Sequence, residues 1–133
     1  MDKKITSTAA VFGIIAIIFG AFGAHALKKV LSIEQLSSFE TGVRYQMYHA
    51  LFLLYISATP LLNQKTKKII YNLTLLGVIF FSGSIYFLAT KSLTSIDFKV
   101  FAFITPIGGL FLICAWLMLF IDLLRPIKKK IKI

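Results

Sequence analysis

Four stretches of the chain are apolar without interruption by charge. No Asp, Glu, Lys or Arg occurs in residues 5–24, 45–64, 69–90 or 100–121, runs of 20, 20, 22 and 22 residues. The hydrocarbon core of a bilayer takes about 20 helical residues at a rise of about 1.5 Å each. The runs are continuously apolar rather than alternating, and an open sheet edge cannot be satisfied in lipid, so strands are excluded. The pattern predicts four transmembrane helices, at about 5–26, 44–63, 69–90 and 100–122, followed by a basic tail at 123–133. Residues 63–68 and 91–99 are short connections, which makes consecutive helices antiparallel neighbours. The predicted fold class is an all-α membrane protein, a four-transmembrane-helix antiparallel bundle in one domain.

The first loop, 25–44, is longer. Ser32 with Gln35 three positions on forms a capping box, Leu31 can staple onto Leu36, and Ser37 with Glu40 repeats the signal. A short interfacial helix is predicted from about Ile33, leading with or without a break at Gly42 into the second span. Ile33, Leu36 and Phe39 then rest at the membrane surface. Lys3 and Lys4, an apolar stretch and Ala24-His25-Ala26 also have the outline of a signal peptide. The apolar run is longer than a usual signal core, so the segment is read as a span.

Composition agrees with lipid as the solvent. Of 133 residues, 58% are hydrophobic and 15% charged, against about 25% charged in soluble domains. Thirteen Phe and a mean hydropathy of +0.85 are too much apolar surface for so short a chain to hide from water. A soluble enzyme, a disulfide-stapled secreted module and a disordered tail are excluded. The net charge of +10 is unevenly spread. Lys3, Lys4, Lys65, Lys67, Lys68, Arg125, Lys128, Lys129, Lys130 and Lys132 fall on one side of the four spans. Lys28, Lys29, Arg44, Lys91 and Lys99 fall on the other. Ten against five predicts both termini in the cytoplasm of a multi-pass plasma or inner membrane protein. The tail cations Arg125, Lys128, Lys129, Lys130 and Lys132 are expected to meet anionic lipid headgroups. Nucleic acid is not an expected partner, because the tail has no folded reader.

In lipid, small residues and polar side chains hold helices together. Gly13, Gly20, Gly23, Gly77, Gly83, Gly108 and Gly109 are the small positions, Pro106 can kink the fourth span, and all read as helix packing. A narrow path or cleft beside Pro106 is the sharper alternative.

The start of the second span is too polar for a lipid-facing helix. On one half of that helix lie Glu40, Arg44, Tyr45, Tyr48 and His49, with Thr41, and Gln46 lies beyond His49. Glu40 and Arg44 are an i, i+4 pair. An ionisable residue at membrane depth points to function. The plain alternative is a clamp in which Arg44 reaches the interface and pairs with Glu40 while the tyrosines sit in the aromatic belt. His25 ends the first span on the same side. The expected cluster is His25, Glu40, Arg44, Tyr45, Tyr48, His49 and, from the Thr105-Pro106 kink, Thr105. Two histidines can bind metal or haem or relay a proton, but without a nearby Cys or further carboxylate they are a weak metal signal. No metal and no cofactor is expected.

Other chemistry is thin. There is no Gly-rich phosphate loop, His-Glu-x-x-His or Gly-x-Ser-x-Gly motif. None of the five carboxylates, Asp2, Glu34, Glu40, Asp97 and Asp122, lies in the middle of a span, which argues against an ion-coupled pump. No internal repeat suggests a rocking transporter. Cys114 stands alone and is read as packing, and Asp122 with Arg125 as an interfacial pair.

Four runs resemble one family. They are Gly20-Ala21-Phe22-Gly23-Ala24-His25-Ala26-Leu27, the run from Thr41 to Leu51, Phe81-Ser82-Gly83-Ser84-Ile85-Tyr86, and Thr105-Pro106-Ile107-Gly108-Gly109. In this order, across nearly the whole chain, they are similar to the small four-span membrane proteins grouped as domain of unknown function 423. The chain has Ala102 where the family pattern has a glycine before Thr-Pro, a departure that touches packing only. The resemblance implies a bacterial inner or plasma membrane protein and carries over no catalytic residue. The reading is a non-enzymatic scaffold or accessory protein. The alternative is a binding or permeation module for a small molecule, lipid or ion at the His25/Arg44/His49 end. A homo-oligomer and a membrane-protein partner are the two partner classes the sequence allows.

Overall fold

The computed structural model describes residues 1–93 and 99–125. The tail residues Lys128, Lys129, Lys130 and Lys132 and the carboxylate Asp97 lie outside them. The described chain is helical: α1 (Asp2–His25), α2 (Ile33–Ala58), α3 (Gln64–Val78), a π-type turn (Ile79–Gly83), α4 (Ser84–Ala89) and α5 (Lys99–Leu123). Short 3-10 turns at Leu27–Lys29 and Lys91–Leu93 follow α1 and α4.

Local chemistry sets the helix starts. At α2, Ser32 Oγ accepts from the Gln35 amide at 3.1 Å and Gln35 Oε1 accepts from the Ser32 amide at 3.0 Å, the reciprocal capping box. Leu31 and Leu36 join one apolar cluster above it. At α3, Asn63 Oδ1 takes the Thr66 amide at 2.8 Å, which satisfies an orphan donor of the first turn. The expected interfacial helix is not a separate element, because α2 passes through Gly42 unbroken. Phe39 is buried rather than resting on a surface: it packs on Gly23 of α1 and lies 5.1 Å from the ring of Tyr86. Ile33 alone of the three apolar residues stands out, 89% exposed.

Among the described residues, three segments are long and apolar enough to cross a membrane: Asp2–Lys29, Gln64–Ala89 and Lys99–Leu123. Helix α2 has the length, with 26 residues, but its first half is too polar to join them. α1 returns along α2, with Gly23 against Phe39, Gly20 against Val43 and the Phe12 carbonyl at Gln46. α5 packs along α3, the π-type turn and α4, and α2 touches α3 and α4 between the two pairs.

The exterior is apolar, as is the core around Leu53, Ile56 and Ile70, unlike the exterior of a soluble domain. Large apolar side chains such as Ile17, Phe103, Ile113 and Phe120 point outward, whereas Gln46, His49, Lys67, Thr74, Ser82, Ser84 and Asp122 are buried. Only lipid accepts such an exterior, and the helix contacts then rest on close packing and interhelical hydrogen bonds. The tightest packing is at Gly108 and Gly77. A Cβ on Gly108 would overlap the Phe81 amide nitrogen and lie 2.7 Å from the Phe80 carbonyl carbon; one on Gly77 would lie 2.5 Å from Leu112 Cδ2. Gly23 is tight against Phe39 at 3.2 Å, Gly20 and Gly109 have ordinary contacts, and Gly13 and Gly83 have open space. α5 continues through Pro106, which is exposed.

Candidate functional site

Polar side chains converge where α1, α2, the π-type turn and α4 meet. Gln46 is 4% exposed and spans two neighbours: its Nε2 donates to the Phe12 carbonyl at 2.8 Å, and its Oε1 accepts from the Tyr86 hydroxyl at 2.7 Å. One turn toward the α2 start, the Ser82 hydroxyl donates to the Gly42 carbonyl at 2.7 Å. Gly42 is required there, since a Cβ would lie 2.9 Å from Tyr86 Cε1. The Ser84 hydroxyl contacts the backbone of the π-type turn and the Thr105 hydroxyl, and Thr105 also donates to the Phe101 carbonyl at 2.8 Å. A π-type turn widens the helix and loosens its own ladder, and here the Ser84 hydroxyl lies within bonding distance of the Phe80 and Phe81 carbonyls of that turn.

His49 lies one turn along α2 from Gln46, buried between α2 and α5. Its Nδ1 bonds the Tyr45 carbonyl at 2.7 Å, and its Nε2 receives the Trp116 indole N–H at 3.0 Å. A carbonyl only accepts and an indole only donates, so the pair selects the neutral imidazole with its proton on Nδ1. Neither ring nitrogen retains a free lone pair for a metal. The ring of Phe52 packs against Trp116, tilted by 36°, with centroids 4.2 Å apart. Beside this group runs an apolar groove of about 710 Å³ lined by Tyr45, His49, Phe81, Leu112, Trp116 and Phe120, among others.

The end of the bundle that holds the N-terminus gathers charge instead. Lys67, 3% exposed, donates to Asp2 Oδ1 at 3.2 Å and to the Ser57 carbonyl at 3.1 Å. Gln64 adds a bond to Asp2 at 3.2 Å. Asp122 faces Thr66 and Arg125, each at 3.4 Å. Asp122 Oδ2 and Thr74 Oγ1 are buried with no partner among the described residues.

With this geometry in view, the relatives become informative. The family model described as "Protein of unknown function (DUF423)" matches residues 19–109, more than half of the chain. The chain belongs to this family. It is 34% identical over 119 residues to the UPF0382 membrane protein of Haemophilus influenzae, covering 90% of this chain and 92% of that protein. It is 48% identical over 106 residues to UPF0382 membrane protein SH2409 of Staphylococcus haemolyticus, covering 77% and 80%. To UPF0382 inner membrane protein YgdD of Escherichia coli K12 it is 32% identical over 125 residues, covering 92% and 89%. No solved structure matches it. The protein is a membrane protein of the DUF423 family, and the stretch matched to the family holds Gln46, His49, Ser82, Tyr86 and Thr105 but not Trp116, Asp2 or Asp122.

The structure distributes the expected cluster differently within this DUF423 fold. His49 faces inward with partners on α2 and α5. Arg44, Glu40, Tyr45 and Tyr48 lie on exposed positions of α2, and His25 is exposed at the end of α1. Arg44 Nη2 donates to Thr41 Oγ1 at 3.0 Å and forms no ion pair with Glu40. Thr105 joins Ser84 rather than His49. Gln46, Tyr86 and Ser82 form a group that sequence reasoning did not assemble, although it placed Gln46 beyond His49 on the second span. The signal available was Gln46, a side chain with two donors and two acceptors within a charge-free run, where lipid offers it nothing. Lys67 was passed over as one of three loop lysines.

Proposed function

We propose that this chain is a four-span bundle of the plasma or inner membrane with both termini in the cytoplasm, and a non-enzymatic scaffold or accessory subunit. Helix α2 is the fourth span. Its polar residues Gln46, His49 and Ser57 are buried, Gln46 bonded to α1 and α4 and His49 to α5, which supports this reading in spite of the helix's low hydropathy. The orientation rests on the ten-to-five distribution of Lys and Arg. The printed name of the Escherichia coli relative, an inner membrane protein, fits this placement. The observation that carries the non-enzymatic reading is how the polar groups beside the groove and between α1, α2 and α4 are used. His49 has both nitrogens engaged, and Gln46 bridges two helices with its two ends. Catalysis or ion passage needs a polar group with free valence facing a space, and the groove beside His49 is walled mainly by hydrocarbon.

Two measurements test this. On a Cys114→Ala background, a cysteine replacing the exposed Val30 is expected to react with a membrane-impermeant thiol reagent from outside intact cells, and one replacing the exposed Lys65 to be spared. The reverse pattern overturns the orientation. Native mass spectrometry of the purified protein is expected to give the polypeptide mass without a stoichiometric prosthetic group. The size of the groove favours a second reading, binding of an apolar lipid-like molecule, since pockets of about 300–1,000 Å³ suit small ligands. A stoichiometric retained lipid or quinone in that spectrum would replace the scaffold reading with this one.

A further inference from the structure

Helices α1 and α4 both pack on α2 and leave a space between them at the His25 end of the bundle. The exposed Phe22 of α1 and Phe87 of α4 wall a groove of about 550 Å³, and the more deeply set Phe19, Phe39 and Tyr86 form its floor. The floor is a packed aromatic layer, with the Tyr86 ring 4.9 Å from Phe19 and 5.1 Å from Phe39. Gly83 lines the groove as well, and a Cβ there would meet nothing within 4 Å, so the missing side chain keeps the space open. A smaller recess of about 190 Å³ shares Gly83 and Tyr86 with the groove and reaches down to Phe12. From Phe12 to the end of α1 at His25 is about 20 Å at a rise of about 1.5 Å per residue. One leaflet of hydrocarbon is about 15 Å deep, half of the bilayer core, so the two spaces together reach as deep as one leaflet.

The mouth of the groove is cationic. Leu27 and Leu93 line it there, and each stands in a 3-10 turn that carries lysine: Lys28 and Lys29 follow Leu27, and Lys91 opens the turn that Leu93 ends. Both turns are held in place. The Val30 and Leu31 amides bond to the Leu27 carbonyl, and Gln35 Nε2 donates to Ser92 Oγ at 3.4 Å. All three lysines are exposed, and none forms an ion pair among the described residues. Glu34 lines a separate recess, with Gln35 and Ser38. Hydrocarbon walls beneath a cationic mouth match an amphiphile with an apolar tail and an anionic head. A zwitterionic lipid fills the groove but leaves the lysines without net countercharge. A second copy set on this face by a two-fold axis along the membrane normal brings the same lysines to the same level, which adds like charge.

We propose that the groove between α1 and α4 is a binding site for one anionic phospholipid of the leaflet at the His25 end, with an acyl chain on the aromatic floor and the phosphate at Lys28, Lys29 and Lys91. A bilayer lipid in such a site exchanges with detergent on extraction, so the test is made in bilayers and stands apart from the mass spectrum that tests the scaffold reading. The full-length protein is reconstituted in phosphatidylcholine vesicles that contain either phosphatidylcholine or phosphatidylglycerol with brominated acyl chains, which quench tryptophan on contact. Phe22→Trp on a Trp116→Phe background reads this groove, and Trp116 of the unaltered chain reads the groove between α2 and α5. At position 22 phosphatidylglycerol is expected to bind about fivefold more tightly than phosphatidylcholine, the weight of one lysine near an anionic headgroup. At Trp116 the two lipids are expected to quench alike. Lys28→Gln, Lys29→Gln and Lys91→Gln together are expected to abolish the preference. Gly83→Leu keeps every lysine but fills the groove, and is expected to abolish it too, whereas Gly83→Ala is too small to fill the space and is expected to retain it. Equal binding of the two lipids at position 22, a preference of the same size at Trp116, or a preference that survives Gly83→Leu overturns the proposal.

Discussion

Replacing Gly108 by Ala is expected to lower the thermal midpoint of the purified protein more than alanine at Gly13, Gly20, Gly83 or Gly109. The added Cβ meets backbone, the Phe80 carbonyl carbon and the Phe81 amide nitrogen, rather than the end of a side chain that can turn aside. Relief requires α5 to move away from the π-type turn, which strains Ser84 and Thr105 as well. Overpacking of this kind costs about 1–3 kcal/mol. The helical preference of Ala over Gly returns up to about 1 kcal/mol, so the net effect is a loss. Gly83→Ala and Gly13→Ala meet no atom within 4 Å, keep the propensity gain, and are expected to be neutral or slightly stabilising. Melting curves of the three variants in one detergent decide the matter. A Gly108→Ala protein that melts with Gly83→Ala would show that this contact is not the tight one.

Gln46→Ala is the other large effect. It empties the space of a side chain that is 4% exposed and strips partners from the Tyr86 hydroxyl and the Phe12 carbonyl. Together these cost about 2–4 kcal/mol. Gln46→Leu keeps the volume and loses only the bonds. Interhelical hydrogen bonds in membranes average about 0.6 kcal/mol each, so the leucine variant is expected to lose about 1 kcal/mol. Unfolding in mixed micelles measures both. Equal losses would mean that the two hydrogen bonds, and not the packing, hold α1 and α4 to α2.

The same residue shows where sequence reading stops. Charge-free runs and the Ser32/Gln35 cap are local signals, and helices α1, α3–α4 and α5 lie where the runs place them. The Asp122–Arg125 pair is local too, three residues apart on one helix. The inward side of α2 is not local. Polar residues occur all round it between Glu40 and His49, so periodicity does not choose between the half that holds Arg44, Tyr45 and Tyr48 and the half that holds Gly42 and Gln46. That choice is made by partners distant in sequence: Phe12, Tyr86 and Ser82 draw Gln46 and Gly42 inward, and Arg44 and Tyr48 are left on the far side. His49 lies on the margin between the halves and is drawn in by Trp116, 67 residues later. Lys67 is likewise chosen from among Lys65, Lys67 and Lys68 by the position of Asp2 at the other end of α1. Of the α2 residues in the cluster drawn from sequence, His49 is buried and Glu40, Arg44, Tyr45 and Tyr48 are exposed.

The apolar exterior also governs how the protein responds to temperature. In a water-soluble domain, unfolding wets apolar side chains, raises the heat capacity and bends the stability curve, so stability declines on the cold side as well as the warm. Here Ile17, Phe103, Ile113 and Phe120 meet acyl chains before and after the helices part, and the contacts broken are van der Waals packing and bonds such as Tyr86–Gln46. Separation of helices within the bilayer wets little, so its heat-capacity change is small and its free energy runs nearly straight with temperature. Chilling strengthens the association of these helices down to the freezing of the lipid, and the cold limit of the fold is set by the membrane and not by the protein.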